Sequence, residues 1–328
     1  MQAKASHIKS AQKVLKFIGS NDKFLLSAHI NADGDAVASV IATKLLLDKF
    51  GKTSYMVFND AEIDSRFNYL KNFDKIIHYN NELKLKIESA IILDVPGTHR
   101  LGDVAKLLPD PSKVVKIDHH PEEDRFAEIN MSDEGASSTT QLIYEIIDQS
   151  ELEIDFDLAQ AIYTGIVYDT GRFSFSNTTS RDMYICGEMI DLGIEPAEIN
   201  NRIFFENSFD ALRTIGRGLA NLESYLDGAV NVIYLDYESM SKNHQGEIEE
   251  LANYSVAIRG GEVGLFIREA KPGFHKVSFR SKGKVDVNQV AKKTFNGGGH
   301  ARAAGCKVEA SKEEILKKIL TEIEKRLK

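Results

Sequence analysis

Tryptophan is absent from this 328-residue chain, cysteine occurs twice and proline six times. Two cysteines, Cys186 and Cys306, cannot build a disulfide framework and show no Cys-x-x-Cys spacing, so a reduced cytoplasmic setting is expected. No apolar run approaches the ~18 residues that span a bilayer. The first residues, Met1–His7, lack the apolar stretch of a secretory signal. No membrane partner is therefore expected. Positive charge is also in short supply: 41 Lys and Arg against 49 Asp and Glu give a net charge of −8. That balance argues against a broad electrostatic grip on long duplex nucleic acid. It leaves room for a small phosphorylated ligand, because bound divalent cations invert the field of an acidic cleft. No internal repeat or low-complexity tract is visible.

What is present is an ordinary globular composition, 42% hydrophobic and 27% charged, at a length that suggests roughly two domains. The most informative stretch is His29-Ile-Asn-Ala-Asp33-Gly-Asp35, just past the apolar run Phe24-Leu25-Leu26. Asp-Gly-Asp by itself is commonly a turn. Matching pieces follow: Asp94 after Ile91-Ile92-Leu93, the triplet Asp118-His119-His120 after Val114–Ile117, and Asp169 after Gly165–Tyr168. An Asp behind a strand can simply cap the next helix, and His-His pairs are frequent on surfaces. Those separate explanations would all have to hold at one sheet edge, which favours a metal site.

The pattern predicts a helix over 6–18, a strand over Phe24–Ala28, a helix over Ala36–Phe50, strands near Thr53–Phe58 and Lys75–Tyr79, and a helix near Asn81–Glu88. Strands Ala90–Leu93 and Val114–Ile117 follow, then helices over Gln141–Gln149, Asp157–Tyr168, Ser180–Leu192 and Glu195–Arg202. Short buried strands alternating with helices imply an α/β domain with a largely parallel sheet and helices on both faces. Ligands of such sheets bind beyond the strands' carboxyl ends, where His29, Asp94 and Asp118 fall. The small hydroxyl residues of Gly135–Thr140 read as helix caps or as groups that brace a metal ligand or face substrate. This domain is expected to occupy 1–205. A helical run, Ser208–Ser224, reads as a connector within 206–225. A smaller mixed α/β domain over 226–328 is then expected, with strands near Ala229–Leu235, Gly264–Arg268, His275–Arg280 and Ala304–Val308, helices near Asp286–Thr294 and Lys312–Leu327, and a Gly-rich loop at Gly297–His300.

Sorted by position, the donors suit two cations. One would take His29, Asp33 and a bridging Asp94; the other Asp35, the same Asp94, one imidazole of the 119–120 pair, and Asp169. A carboxylate-rich shell with some imidazole favours Mn²⁺ or Mg²⁺ over a thiolate-seeking metal. Two such cations about 4 Å apart stabilise attacking and leaving oxygens at phosphorus. In the second domain, Gly297, Gly298 and Gly299 before His300 read either as a flexible loop or as a nest of N–H groups for an anion. Arg280-Ser281-Lys282 reads as a solvated turn or a phosphate grip, and Arg100 as a helix-start residue or a substrate contact. His7, His78, His244 and His275 lie in no motif.

His29-x-x-x-Asp33-x-Asp35, Asp94, Asp118-His119-His120 and Asp169 together resemble the four motifs of the DHH phosphoesterases. Gly297-Gly298-Gly299-His300 is similar to the signature of the accompanying DHHA1 substrate domain. The likeness runs from about residue 10 to 310 and is nearest to the nano-RNase type. It implies a two-lobed Mn²⁺-dependent hydrolase with its active site in the cleft between lobes, acting on very short RNA and on 3′-phosphoadenosine 5′-phosphate (pAp). It places His29 and Asp33 on one metal, Asp35, His119 and Asp169 on the other, and Asp94 as bridge. Asp118 would orient its neighbours and His120 would face the scissile phosphate. His300, the glycines and Arg280 would hold the rest of the substrate, and a homodimer is suggested. Without tryptophan, base stacking falls to Phe, Tyr or His; Phe173 beside Asp169 is one candidate, with core packing as its other reading.

Three other functions compete. Cyclic di-AMP or pApA hydrolysis would use the same metals. A non-catalytic nucleotide-binding protein would need a broken ligand set, and no ligand is missing. A manganese-dependent inorganic pyrophosphatase shares the first four motifs but carries a different C-terminal domain.

Overall fold

The computed structural model describes residues 4–240 and 247–327, and it divides into two compact units, 1–205 and 206–328. His244 lies outside the described residues. In the first unit the elements are α1 (Ala5–Ser20), β1 (Phe24–Ser27), α2 (Gly34–Lys49), β2 (Ser54–Phe58), β3 (Ile77–His78), β4 (Ser89–Leu93), β5 (Val114–Asp118), β6 (Ile129–Ser132), α3 (Thr139–Asp148), α4 (Phe156–Asp169), α5 (Ser180–Asp191) and α6 (Pro196–Asn200). All six strands are parallel, in the order β3-β2-β1-β4-β5-β6.

Alternation along each strand sends side chains to two different cores. Phe24, Leu26, Ile91, Leu93, Val115 and Ile117 meet α1 to α5. Leu25, Val57, Ala90, Ile92 and Val114 face a second cluster with Leu101 and Val104. The second face is covered by a 3₁₀ segment, Thr98–Leu107, and by extended chain. The expected helix near Asn81–Glu88 is part of that extended cover: Leu83, Leu85 and Ile87 alternate with exposed residues and pack on the sheet. A spacing of two, not of three to four, is the period of extended backbone. The chain leaves β1 in one direction for β2 and β3, then crosses back to β4, β5 and β6. That reversal opens a crevice between the carboxyl ends of β1 and β4.

The second unit comprises α7 (Phe209–Ala220), β7 (Leu222–Tyr225), β8 (Val230–Leu235), α8 (Glu250–Val256), β9 (Val263–Lys271), β10 (Phe274–Ser281), α9 (Val287–Phe295), β11 (Gly298–His300), β12 (Ala303–Glu309) and α10 (Lys312–Leu327). Its sheet runs β11-β12-β10-β9-β8-β7, with only β8 and β9 parallel. The run expected as one helix to Ser224 stops at Ala220, and Leu222–Tyr225 instead pairs with β8. Helix α7 packs on this unit: a Cβ on Gly218 would lie 2.7 Å from Leu251. The glycine-rich stretch is also not an open loop. Gly298, Gly299 and His300 form a strand against Gly305, Ala304 and Ala303. A Cβ on Gly299, at φ +138°, would lie 2.5 Å from the Ala303 carbonyl oxygen, so the close approach of two backbones requires glycine there.

Candidate metal centre

Three loops at the crevice converge on Asp94. The turn after β4 gives this residue a left-handed φ of +57° and leaves it 1% exposed. Its Oδ2 lies 3.4 Å from His29 Nε2. Its Oδ1 lies 3.5 Å from His119 Nε2 and 3.3 Å from His120 Nδ1, and accepts a 3.0 Å hydrogen bond from Thr139 Oγ1. His29 Nε2 is also 3.8 Å from Asp33 Oδ2. His119 Nε2 is 3.0 Å from Asp169 Oδ2, at the end of α4. Donor atoms of His29, Asp33 and Asp94 lie within 4.8 Å of one another, and so do those of Asp35, Asp94 and His119.

Local structure aims each donor. Asp33 caps α2: its Oδ1 accepts from the Asp35 and Ala36 N–H groups, which leaves Oδ2 toward His29. Asp35, one residue into the helix, is fully buried beneath the N-terminus of α3. There it accepts from Thr139 N at 2.7 Å, Thr140 N at 3.1 Å and Thr140 Oγ1 at 2.6 Å. The bracing role of the Gly135–Thr140 stretch and its capping role are both present, since Ser138 Oγ accepts from Gln141 N. His29 Nδ1 is tied to the Ile30 carbonyl at 3.0 Å, which turns Nε2 inward. His120 Nδ1 donates to Asp118 Oδ1 at 2.9 Å.

Some contributors were invisible in the motifs. Asp60, at the end of β2, clamps the ligand loop by accepting from Asn31 N and Ala32 N at 2.9 and 3.0 Å. Lys116 is completely buried, donates to the Pro96 carbonyl at 3.2 Å and lies 3.4 Å from Asp118 Oδ2. A lysine inside the run Val-Val-Lys-Ile-Asp was the available signal, since lysine is almost never fully buried unless paired. Arg100 lies on the 3₁₀ segment, with its carbonyl accepting from Ile30 N at 2.7 Å; its charge lowers the proton affinity of His29.

Within the second unit, register aligns His300 with Ala303 and Ala303 with Arg280 across three strands. Arg280 donates from Nε to Asn253 Oδ1 and from Nη1 to the Phe279 carbonyl. Ser281 is buried, and its hydroxyl donates to Glu262 while accepting from Gly283 N. Gly297 donates its N–H to the Ala291 carbonyl, ending α9.

The electrostatics of the cluster match its donor chemistry. Burial raises Asp33 to about 6, helped by the charges of Asp169 and Asp94 against the opposing His29. Burial and the same two carboxylates raise Asp35 well above the usual range. Burial opposes charge on the imidazoles. The Asp94 hydrogen bond and the Asp33 and Asp94 charges nevertheless hold His29 at about 8, and Asp169 and Asp94 hold His119 at about 9. His120 is raised well above its ordinary value by Asp94 and Asp118 against burial, and Asp94 is lowered by His120 and His29 despite its own burial. Crowded carboxylates that keep protons, beside imidazoles that also keep them, are what a divalent cation would relieve. Both cysteines are buried elsewhere, in α5 and β12, so no thiolate competes. The donor set fits a hard divalent cation.

The fold and cluster define a doubly wound α/β protein with a carboxylate–imidazole cluster, a candidate cation centre, at the carboxyl end of its sheet. The DHH family N-terminal domain model matches residues 23–166, and the DHHA1 domain model matches 229–328. The chain thus carries a DHH family N-terminal domain followed by a DHHA1 domain. It is 28% identical over 282 residues to the bifunctional oligoribonuclease and PAP phosphatase NrnA of Thermus thermophilus, covering 85% of this chain and 82% of that one. It is likewise 28% identical over 302 residues to the protein of that name from Bacillus subtilis, covering 90% and 92%. Among solved structures it is similar to an exopolyphosphatase-related protein from Bacteroides fragilis, with 26% identity, a TM-score of 0.88 and coverage of 97% and 96%. Among the described residues no helix is long and apolar enough to cross a membrane.

The Asp35 brace is open to a direct test. Thr140→Val keeps the side-chain shape and removes the 2.6 Å donor to a buried carboxylate. Loss of a partner behind a metal ligand typically weakens affinity ~10–100-fold. Calorimetric titration of Mn²⁺ into the variant should show that loss; an unchanged affinity would mean that the hydroxyl does not hold Asp35 for the metal.

Proposed function

We propose that this protein is a hydrolase that cleaves very short oligoribonucleotides to mononucleotides and removes the 3′-phosphate of pAp, using two divalent cations, with Mn²⁺ the best match. The observation that carries the reading is the pair of donor groups sharing Asp94 at the switch point of the sheet. It is supported by the names of relatives that align over most of both chains. His29, Asp33 and Asp94 would hold one cation; Asp35, Asp94, His119 and Asp169 the other. Cations so held supply Lewis-acid charge at the phosphoryl oxygens and activate water for attack.

The chain's own residues do the rest. Asp118, backed by Lys116, keeps the His120 proton on Nδ1. A protonated His120 would then face a phosphoryl oxygen and offset the negative charge that develops there. Arg100 is one phosphate contact of the first unit. Within the second unit, Arg280, His300 and the backbone of Gly298 and Gly299 would form a phosphate-binding group of their own, with Ser281 fixing its strand through Glu262 and Gly297 ending α9. A homodimer is part of this reading.

The experiment follows three substrates in one Mn²⁺-loaded preparation: pAp, a linear diribonucleotide and cyclic di-AMP. The first two should turn over at least about tenfold faster than the cyclic compound. Dominant cleavage of cyclic di-AMP or pApA would assign the same metal site to second-messenger hydrolysis instead.

A further inference from the structure

We propose that Phe205, backed by the guanidinium of Arg172, forms a nucleobase-stacking subsite for the substrate held at the metal cluster. The inference deepens the short-ribonucleotide reading and rests on it. With no tryptophan in the chain, a base must be met by another flat group, and Arg planes serve this role as well as Phe and Tyr.

The placement begins at a ligand. Immediately after Asp169 and Thr170, three successive residues adopt left-handed backbone: Gly171 at φ +53°, Arg172 at +59° and Phe173 at +61°. Left-handed conformation in arginine and phenylalanine is disfavoured by Cβ sterics and persists only where surroundings enforce it. Here Thr170 does so: Phe173 N donates to its Oγ1, and Ser174 N and Phe175 N donate to its carbonyl. The reversal throws Arg172 back beside the π-helical segment Asn201–Phe205 that follows α6, where its guanidinium carbon lies 4.8 Å from the Phe204 ring centroid and 5.0 Å from that of Phe205.

A continuous ladder of planes results. The Tyr168 ring closes over Gly34, between Asp33 and Asp35, so tightly that a Cβ there would lie 2.4 Å away. Phe204 stacks on Tyr168 at 6.2 Å and 20°, Arg172 follows, and Phe205 forms the outer rung. Phe205 is 60% exposed, whereas Ile203, two residues before it, is buried. The turn presenting it is pinned, because Arg66 donates to the Ile203 carbonyl at 2.7 Å and grips Asp64 from the other side. A fixed ring, paired with a cation and starting from the metal ligands, suits a flat π-surface on a phosphorylated chain. Stacking tolerates every base, which suits a substrate class defined by shortness and not by sequence.

The test compares wild type with Phe205→Ala, Phe205→Leu and Phe205→Trp on a diribonucleotide and on the same phosphorylated backbone with both bases removed. Phe205→Ala should raise KM for the natural dinucleotide about 5- to 50-fold, with kcat within about twofold and the melting temperature unchanged. Phe205→Leu, apolar but without a π-face, should resemble Ala, and Phe205→Trp should resemble wild type. The base-free compound should be affected less than about twofold. Equal shifts on both compounds, or none on either, would overturn the subsite. If wild type hydrolysed no nucleotide, the phosphoesterase reading would fall separately. Calorimetric binding of the dinucleotide would then decide: base-dependent weakening by Phe205→Ala upholds stacking, and no binding or no weakening overturns it.

Discussion

Asp94→Asn should yield a folded protein whose phosphoester hydrolysis is reduced at least about 10⁴-fold. Asp94 alone belongs to both donor groups. Each cation of such a pair contributes several kcal/mol to stabilising the transition state. Losing ~5–6 kcal/mol corresponds to about four orders of magnitude. The choice of asparagine follows from the backbone. At φ +57° a residue with a β-carbon pays roughly 1–2 kcal/mol, and asparagine is the side chain that most readily tolerates it. Asn also preserves the shape that packs against Thr139. Its neutrality removes the charge that raises Asp35 and Asp33, and the surrounding imidazoles can respond by releasing protons. Asp94→Ala, by contrast, combines inactivation with backbone strain. In chelator it should melt lower than Asp94→Asn by about 2–8 °C, from ~1–2 kcal/mol at ~2–4 °C per kcal/mol for a domain of this size. Turnover of Asp94→Asn within tenfold of wild type would remove Asp94 from the centre of the mechanism.

Stripping divalent cations should abolish hydrolysis and lower the melting temperature, and restoring them should reverse both. A ligand bound only by the folded state at 100 times its Kd contributes about 2.7 kcal/mol. At ~2–4 °C per kcal/mol that corresponds to about 5–11 °C. The structural cause is the crowding of Asp33, Asp35, Asp94 and Asp169 in one buried site, which a cation neutralises. Proton competition sets the pH dependence. In the metal-free protein His29 and His119 hold protons up to about 8 and 9, and Asp33 up to about 6. At pH 7 a cation must therefore displace imidazole protons, so its apparent affinity should rise between pH 6 and 9, with protons released on binding. Calorimetry in buffers of different ionisation enthalpy reads that release directly. A metal-independent melting temperature, together with activity that survives chelation, would refute the cation centre.

How much of this was legible beforehand varied by element. The strands ending at His29, Asp94 and Asp118 were readable because buried parallel strands are short apolar runs, and donors that follow them collect at one sheet edge. The cap at Ser138 was readable for a similar reason, since hydroxyls at a helix start satisfy its free N–H groups. The stretch 81–88 forms extended chain where a helix is expected, and the two-residue period of Leu83, Leu85 and Ile87 is the signal for it. The glycines before His300 looked like an open loop because a triplet of glycines gives no indication of the strand it will pair with. Phe205 offered no signal, as exposure of one aromatic ring depends on what fails to pack over it.

The order of apolar runs and the identity of the donors that follow them are local properties, and these the amino-acid sequence determined unaided: a parallel α/β unit, a mixed second unit, and a carboxylate–imidazole set for hard cations. Other features arose only in three dimensions. Which imidazole of the 119–120 pair turns toward Asp35 and which toward Asp118, the left-handed backbone at Asp94, the hold of Thr139 and Thr140 on Asp35, and the buried Lys116 beside Asp118 all depend on segments far apart in the chain. Their positions follow from packing around a common core, and pairwise distances of 3 Å across a hundred residues have no signature in local spacing.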